Sequence, residues 1–363
     1  TANRLIRDKL GGADWLSHLG HSDSLFVNAG TWGLMLTGRV IEFEDDRARE
    51  ALGETRADLG AYFRHLVSRS GEPLIRQALI QAMRIMARQF VMGRTIEEAV
   101  SRAGDDAAPY ERYSFDMLGE ASLTSADAAH HTERCAQAIA VVGAMASKGN
   151  DVLARPGISI KLSALHPRFA FAQRRRVLNE LVPRLVELAG QARAANVGIT
   201  IDAEEAELLD LTLDVFAAAL AAPALAGWDG FGIAVQCYLK RALTLFAWLA
   251  DLAAAHGTAL PVRLVKGAYW DAEIKRAQER GLEGYPVFSR KLGTDVSFLA
   301  CARYVLERPQ AFRAMFASHN AHTIAAVAAL AGDRRDYEFQ RLHGMGEALY
   351  RAALEEGDHG VCC

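Results

Sequence analysis

The stretch GFGIAVQCYLKRALTLFAWLADLAAAHGTALPVRLVKGAYWD, Gly230–Asp271, holds one full period of an alternating pattern. GFGIAVQCY is short, apolar and rich in strand formers. RALTLFAWLADLAAAHG is long and helical in rhythm, and Gly257 stops it as a glycine past the last turn does. PVRLVKGAY is again a strand. Strand, helix and strand in this order make a parallel βαβ unit.

The same alternation extends both ways. Candidate strands begin at Tyr113 (YSFDMLG), Gly157 (GISIKLS), Gly198 (GITIDAE), Gly230, Pro261, Ala314 (AMFASHN), Tyr337 (YEFQRLHGM) and Gly360 (GVCC), with helices such as RRRVLNELVPRLVELAGQARAAN between them. Eight such units predict a (β/α)8 barrel, an α/β fold, over residues 109–363. Residues 1–108 read differently. Up to about Gly104 the text is helical, and GEPLIRQALIQAMRIMARQFV sets Pro73 at a helix start with Leu74, Leu79, Met83, Ile85 and Met86 as a buried stripe. This part is expected to be a helical arm.

Composition narrows the function classes. Of 363 residues 51% are hydrophobic, and 41 Lys+Arg against 44 Asp+Glu leave a net charge of -3, so no overall charge favours nucleic acid or an acidic membrane surface. No apolar run approaches the roughly 20 residues of a membrane span, and TANRLIRDKLGG lacks the apolar centre of a signal peptide, so the cytoplasm is the expected compartment. The five cysteines include no CxxC pair, which signals neither a disulfide framework nor a zinc site; Cys237 and Cys301 are expected to be reduced core residues.

Barrel enzymes carry their chemistry at the carboxyl ends of the strands. Here those ends are polar: Glu120, Lys161, Asp202, Gln236, Lys266, His319 with Asn320, and Arg341 with His343. Continued strand alternation from Arg263 would put Arg263, Val265, Gly267 and Tyr269 on one side and Leu264, Lys266, Ala268 and Trp270 on the other. Three chemistries compete for this mouth. Metal-assisted hydrolysis could draw on His319, His322, Asp202, Glu204 and Glu205, but no strand carries an HxH pair. A Schiff-base lyase could use Lys161 or Lys266. A flavin needs a flat bed, partners for its polar edge and a cation near N1 or N5, which Arg263, Gln236, Tyr269 and Trp270 suit. No GxGxxG follows a strand, so a Rossmann dinucleotide site is not indicated.

At these residues the chain also resembles a family. YSFDMLGEAS, ISIKLSALHPRF, TIDAEEAELLDLTLDVF, VRLVKGAYWDAEIKRAQERGLEGYPVFSRKLGTDVSFLACARYVL, FASHNAHT and FQRLHGMGEALY are similar to the proline dehydrogenase domain of the bacterial bifunctional proline-utilization flavoenzymes. RLIRDKLGGADWLSHLGHSDSLFVNAGTWGLMLTGRV resembles the helical arm before that domain. The resemblance covers essentially the whole chain. It implies a distorted (β/α)8 barrel holding FAD, oxidation of L-proline to Δ1-pyrroline-5-carboxylate, and reoxidation of the flavin by a quinone of the ubiquinone or menaquinone type at the periphery of the inner membrane.

Site roles follow from the same resemblance. Lys161 would bind the proline carboxylate, Asp202 would sit beside it at the flavin with Ala203, and Arg263 would lie near flavin N5. Gln236 would take the pyrimidine edge, and Val265, Gly267, Ala268 and Trp270 would lie along the cofactor. Glycine and alanine at 267 and 268 would then leave room for a close approach to the cofactor. Arg290, Lys291 and Thr294 would complete the FAD contacts, with Ser318, His319, Asn320 and Gln340. Tyr269 and Leu342 would pack around the pyrrolidine ring.

Two departures belong to the same expectation. The family follows its eighth strand with a helix carrying an Arg-Arg pair that grips the substrate carboxylate, one arginine pairing with the acid seen here as Glu120, whereas this sequence stops at Cys363. Either the protein continues past Cys363, or it is a truncation with an incomplete eighth strand-helix unit, a half-built carboxylate site and an unclosed barrel; a FAD-binding fragment of impaired turnover is a further expected alternative. The aldehyde dehydrogenase domain, a partner in the parent proteins, and their DNA-binding segment are not read in this sequence, so no nucleic-acid partner is expected.

Overall fold

All eight expected strands form, and every neighbouring pair runs parallel. In the computed structural model residues 90–106, 111–119, 121–145, 151–356 and 360–362 are described. The expected helix after Pro73 and the substrate-site candidate Glu120 lie outside them. Strand β1 comes in two pieces, Glu111–Arg112 and Ser114–Asp116; β2 is Gly157–Ile160, β3 Gly198–Ile201, β4 Phe231–Gln236, β5 Leu260–Val265, β6 Phe312–Ala317, β7 Tyr337–Gln340 and β8 Gly360–Cys362. Helix α1 is Ile96–Asp106, α2 Ser125–Gly143, α3 Arg174–Ala195, α4 Leu209–Leu220, α5 Ala242–His256, α6 Trp270–Glu279, α7 Lys291–Leu306, α8 Ala321–Ala331 and α9 Glu347–Glu356. The chain divides into two compact units, Thr1–Met92 and Gly93–Cys363, and the barrel lies in the second.

The break at Tyr113 lets β1 serve two neighbours. Glu111 and Arg112 pair with Val361 and Cys362 of β8, while Ser114, Phe115 and Asp116 pair with Gly157, Ile158 and Ser159 of β2. β8 pairs on its other edge with β7, Phe339 opposite Val361. The ladder therefore runs right round, which corrects the expectation of an unclosed barrel. Closure needs only backbone donors and acceptors on both edges of β8, and its three residues supply them.

The core lies between the strands and the helices. Ile158, Ile160, Ile199, Ile201, Val262 and Leu264 are buried outward from alternate positions of β2, β3 and β5, as a period of two requires. Helix ends follow local chemistry: Thr124 and Asp127 form a reciprocal capping box before α2, Asn196 ends α3 at φ 53°, and Gly257 ends α5 at φ 61°. Among the described residues no helix is long and apolar enough to cross a membrane.

One expectation about the opening stretch fails. Alternation stops at Val265, because β5 ends there, Gly267 turns to φ 143°, and α6 begins at Trp270 with Tyr269 as its N-cap. Tyr269 and Trp270 are thus successive residues of a helix start, not opposite faces of one strand. The glycine has its own reason. A Cβ at 267 would stand 2.3 Å from the Tyr238 ring, so Tyr238, in addition to the backbone twist, demands glycine here.

Candidate active site

The barrel interior is polar where a filled barrel would be layered with Val, Ile and Leu. Arg263 on β5 shows this best, because it reaches four other strands. Its Nε donates to Gln340 Oε1 at 2.6 Å, one terminal nitrogen to Asp202 Oδ1 at 2.8 Å and Ser159 Oγ at 2.9 Å, and the other to Ser114 Oγ at 3.1 Å. A side chain touching β1, β2, β7 and the end of β3 from β5 can only cross the inside of the barrel. The guanidinium is 13% exposed and Asp202 15%, so their ion pair is largely desolvated.

Asp202 has a second cation. Lys161, just past β2, gives its ammonium to Asp202 Oδ2 at 3.3 Å and to Asp116 Oδ2 at 3.0 Å. Two cations and two carboxylates therefore meet at the carboxyl mouth, and the more exposed carboxylate is Asp116. The mouth is balanced in charge. A ligand with one acidic and one basic group can exchange with this set without leaving a net charge behind.

Beside this cluster a loop from β3 is tied to its neighbours. Ser163 donates to Glu204 through both its backbone N–H (3.2 Å) and its hydroxyl, and burial, against those hydrogen bonds, raises the Glu204 carboxyl above its ordinary pKa. Gln236 at the end of β4 donates to the Glu204 carbonyl at 2.8 Å and accepts from the Ala268 N–H at 2.9 Å. One amide thus joins the loops after β3 and β5. Ala203 sits half-buried between them and Val265 closes β5, also half-buried; Ala268 is exposed. Burial raises the Tyr269 phenol, with Glu204 adding to it.

On the far side of β5 the geometry changes. Lys266 meets Asp295 Oδ1 at 2.5 Å and Lys291 meets Asp295 Oδ2 at 2.6 Å. Burial works to raise the Asp295 carboxyl, but these hydrogen bonds outweigh it and hold it below its usual range. Arg290 is the N-cap of α7 and Lys291 its first residue, both exposed, while Thr294 is buried one turn in. The Trp270 indole N–H donates to the Phe288 carbonyl at 2.9 Å, pinning α6 to the loop before α7.

Past β6, the Ser318 hydroxyl accepts the Asn320 N–H at 3.2 Å and Asn320 caps α8 through the Thr323 N–H at 2.9 Å. His319 Nε2 accepts the Leu342 N–H at 2.9 Å, and burial, with the Arg341 charge, lowers its pKa. The Tyr350 hydroxyl shares its one proton between the Ser318 carbonyl (2.5 Å) and the Gln340 carbonyl (2.9 Å), so α9 straps the ends of β6 and β7. Leu342 is exposed at the rim.

The structure thus brings Lys161, Asp202, Arg263 and Gln340 into one hydrogen-bonded set, with Gln236, Ala268 and Glu204 in a second set beside it. Reading the sequence missed Asp116, Ser114, Ser159, Glu204 as a buried carboxyl, Glu338 and Tyr350. Asp116 and Ser159 occupy inward positions at strand ends, a signal that strand phase could have given. Tyr350 lies on a helix and carried none. At the amino end of the strands the interior opens into a cavity of about 460 Å³ whose lining includes Arg112, Ser114, Arg263, Arg313, Glu338 and Gln340.

Comparison with known proteins shows the family and the fold. Residues 99–363 match the family described as proline dehydrogenase, and residues 1–90 match one described as the DNA-binding domain of proline dehydrogenase, a stretch to which the sequence reading gave no nucleic-acid role. The chain is 50% identical over 353 residues to the bifunctional protein PutA of Salmonella typhimurium, covering 96% of this chain and 26% of that protein. It is 26% identical to proline dehydrogenase 1 of Bacillus subtilis over 76% of this chain and 80% of that protein. A crystal structure of a Bradyrhizobium japonicum proline utilization A mutant matches with TM-score 0.72 and 47% identity over 100% of this chain and 36% of that one. The Bdellovibrio bacteriovorus protein inactivated by N-propargylglycine matches with TM-score 0.74 and 28% identity over 80% of this chain and 31% of that one. The chain spans about a quarter of the length of the PutA relatives it matches.

Proposed function

The chain belongs to the proline dehydrogenase family, and from that premise we propose that it oxidises L-proline to Δ1-pyrroline-5-carboxylate, with FAD as resident acceptor and a membrane quinone as the onward one. The observation that carries this reading is the buried Arg263–Asp202–Lys161 set at the carboxyl mouth. Its balanced charges suit a zwitterionic amino acid.

The residues also fit a flavin dinucleotide by the chemistry of their donors. Arg263 offers a buried cation and Gln236 an amide for the ring. Arg290 and Lys291, at the exposed N-terminus of a sixteen-residue helix, offer two cations and free backbone N–H groups of the kind that hold a pyrophosphate. By the family resemblance, Trp270 and the Ser318–Asn320 loop would lie along the cofactor. Bound there, the flavin supplies a hydride acceptor for the carbon next to the proline nitrogen.

The protein's part is binding and orientation. Lys161 keeps Asp202 and releases the more exposed Asp116 to take the substrate carboxylate, which fixes one end of the ring. Tyr269 and Leu342 enclose the other end and keep water away. Arg263, locked on four sides, places a fixed positive charge where negative charge gathers on reduction, at no cost of reorganisation. The zwitterion gives up its ammonium proton to solvent before hydride leaves the neighbouring carbon, and no residue is assigned as general base. The lyase alternative loses support, since both Lys161 and Lys266 sit against carboxylates, the reverse of the apolar pocket that makes an amine nucleophilic.

The test is to purify the chain with FAD and follow its visible spectrum while proline is added, alongside proline-to-dye electron transfer. Bleaching of the flavin band with matching dye reduction is expected. A colourless protein that takes up no FAD would refute the reading, and flavin bound without bleaching would leave a binding fragment.

A further inference from the structure

A second line of contacts runs from Arg263 away from the mouth, and the reaction above makes no use of it. Gln340 accepts the Arg263 Nε–H on Oε1 at 2.6 Å and donates from Nε2 to Glu338 Oε1 at 2.6 Å. Glu338 Oε2 in turn accepts from Arg112 at 2.5 Å, with the Glu338 side chain 12% exposed. The second Nε2 hydrogen of Gln340 faces Met315 Sδ at 3.2 Å.

A carboxamide can present oxygen or NH2 to either neighbour, so something must choose. Arg263 Nε only donates and the Glu338 carboxylate only accepts. With the carboxylate on one side, the Gln340 NH2 must face it and the Gln340 oxygen must face Arg263. We propose that Glu338, held by Arg112, is the positioning residue for the site's arginine: by fixing the Gln340 amide it holds the Arg263 guanidinium in the plane that delivers its other nitrogens to Asp202 and Ser159. This is the logic by which outer partners orient a ligand's first contacts. The inference rests on the reading of Arg263 as the cation at the flavin, but the relay itself belongs to the polypeptide.

Glu338→Gln tests it with an isosteric change. The new amide turns its oxygen to Arg112, which only donates, and so offers its NH2 to Gln340. Gln340 then flips and sets its own NH2 against the Arg263 Nε–H, donor on donor. Removing Arg112 as well, in Arg112→Met/Glu338→Gln, frees the new amide to turn its oxygen to Gln340 and restores the original polarity. Two readouts report on this in the full chain. One is solvent exchange of the Arg263 Nε–H in flavin-free protein by 15N NMR, its resonance assigned by loss in Arg263→Met. The other is the midpoint potential of bound FAD from a reductive titration without proline. Glu338→Gln should speed exchange about tenfold, the equivalent of one hydrogen bond, and lower the potential, because a turned guanidinium stabilises the reduced ring less. The double variant should bring both back. Wild-type exchange and potential in Glu338→Gln, or a double variant as perturbed as the single one, would overturn the proposal. A chain that binds no FAD refutes the functional reading alone, and the exchange rates in flavin-free protein then decide the role of Glu338.

Discussion

Replacing Arg263 by Met removes a cation from a site that is 13% exposed and strands the acceptors around it. The worst placed is Asp202 Oδ1, which loses its 2.8 Å partner, followed by Gln340 Oε1, which loses one at 2.6 Å. Breaking a buried pair by removing one member costs about 3–5 kcal/mol. Asp202 keeps Lys161 at 3.3 Å on its other oxygen, so the lower end, about 3 kcal/mol, is expected. Much of that cost is the stranded carboxylate, and it should shrink when the carboxylate is already neutral. In a double-mutant cycle on the flavin-free chain, Arg263→Met should therefore cost at least about 2 kcal/mol less in an Asp202→Asn background than in the wild type, a coupling of the size seen for groups in contact. Urea unfolding followed by tryptophan fluorescence at neutral pH measures all four corners. Additivity within about 0.5 kcal/mol would show that the pair does not couple and that the guanidinium is held by its serine and amide contacts instead. With FAD bound, the same Arg263→Met substitution should also slow flavin reduction at saturating proline.

Lys161→Ala should raise KM for proline steeply while FAD stays bound, since removing one member of a buried charge pair costs about 2–5 kcal/mol of binding; titration of initial rates against proline reads this directly. Gly267→Ala should destabilise the chain by about 1–3 kcal/mol, because φ 143° and the Tyr238 ring both oppose a Cβ, and a thermal midpoint equal to wild type would contradict it. His319 has a lowered pKa in the folded chain, so the unfolded state binds more protons below the ordinary value near 6.5. Its contribution is complete above that pH and declines as pH falls through it, by up to about 1.4 kcal/mol per unit. Comparing urea midpoints at acid and neutral pH should show a smaller loss in His319→Asn than in the wild type.

Much of this was legible in the text. The strand–helix period located all eight strands, and the helix stop at Gly257 was readable from the glycine itself. Lys161 and Asp202 were flagged by their place at strand ends, where an apolar run turns polar, and Arg263 as a cation suited to a flavin. The failures share a cause. Tyr269 and Trp270 were assigned by strand phase to opposite faces, but phase has meaning only while the strand lasts, and Gly267 ends it. The constraint that the Tyr238 ring, 29 positions earlier in the chain, places on that glycine was also out of reach of local pattern.

What the sequence determined by itself is local: periods of two and 3.6, caps, breaks, and the polarity of each strand's end, all set by residues within a few positions of one another. Tertiary structure decided which polar ends share hydrogen bonds. Arg263 and Ser114 are 149 positions apart, and Arg112 and Glu338 are 226 apart. Their meeting depends on barrel closure, because only a ring of eight tilted strands turns these inward positions toward one axis. Strand pairing registers set the heights at which they meet, and those registers are fixed by backbone hydrogen bonds between segments that no local pattern relates. Once closed, the interior excludes enough water that each buried charge must find its partner inside, and that requirement selects Asp202 for Arg263 and Glu338 for Arg112.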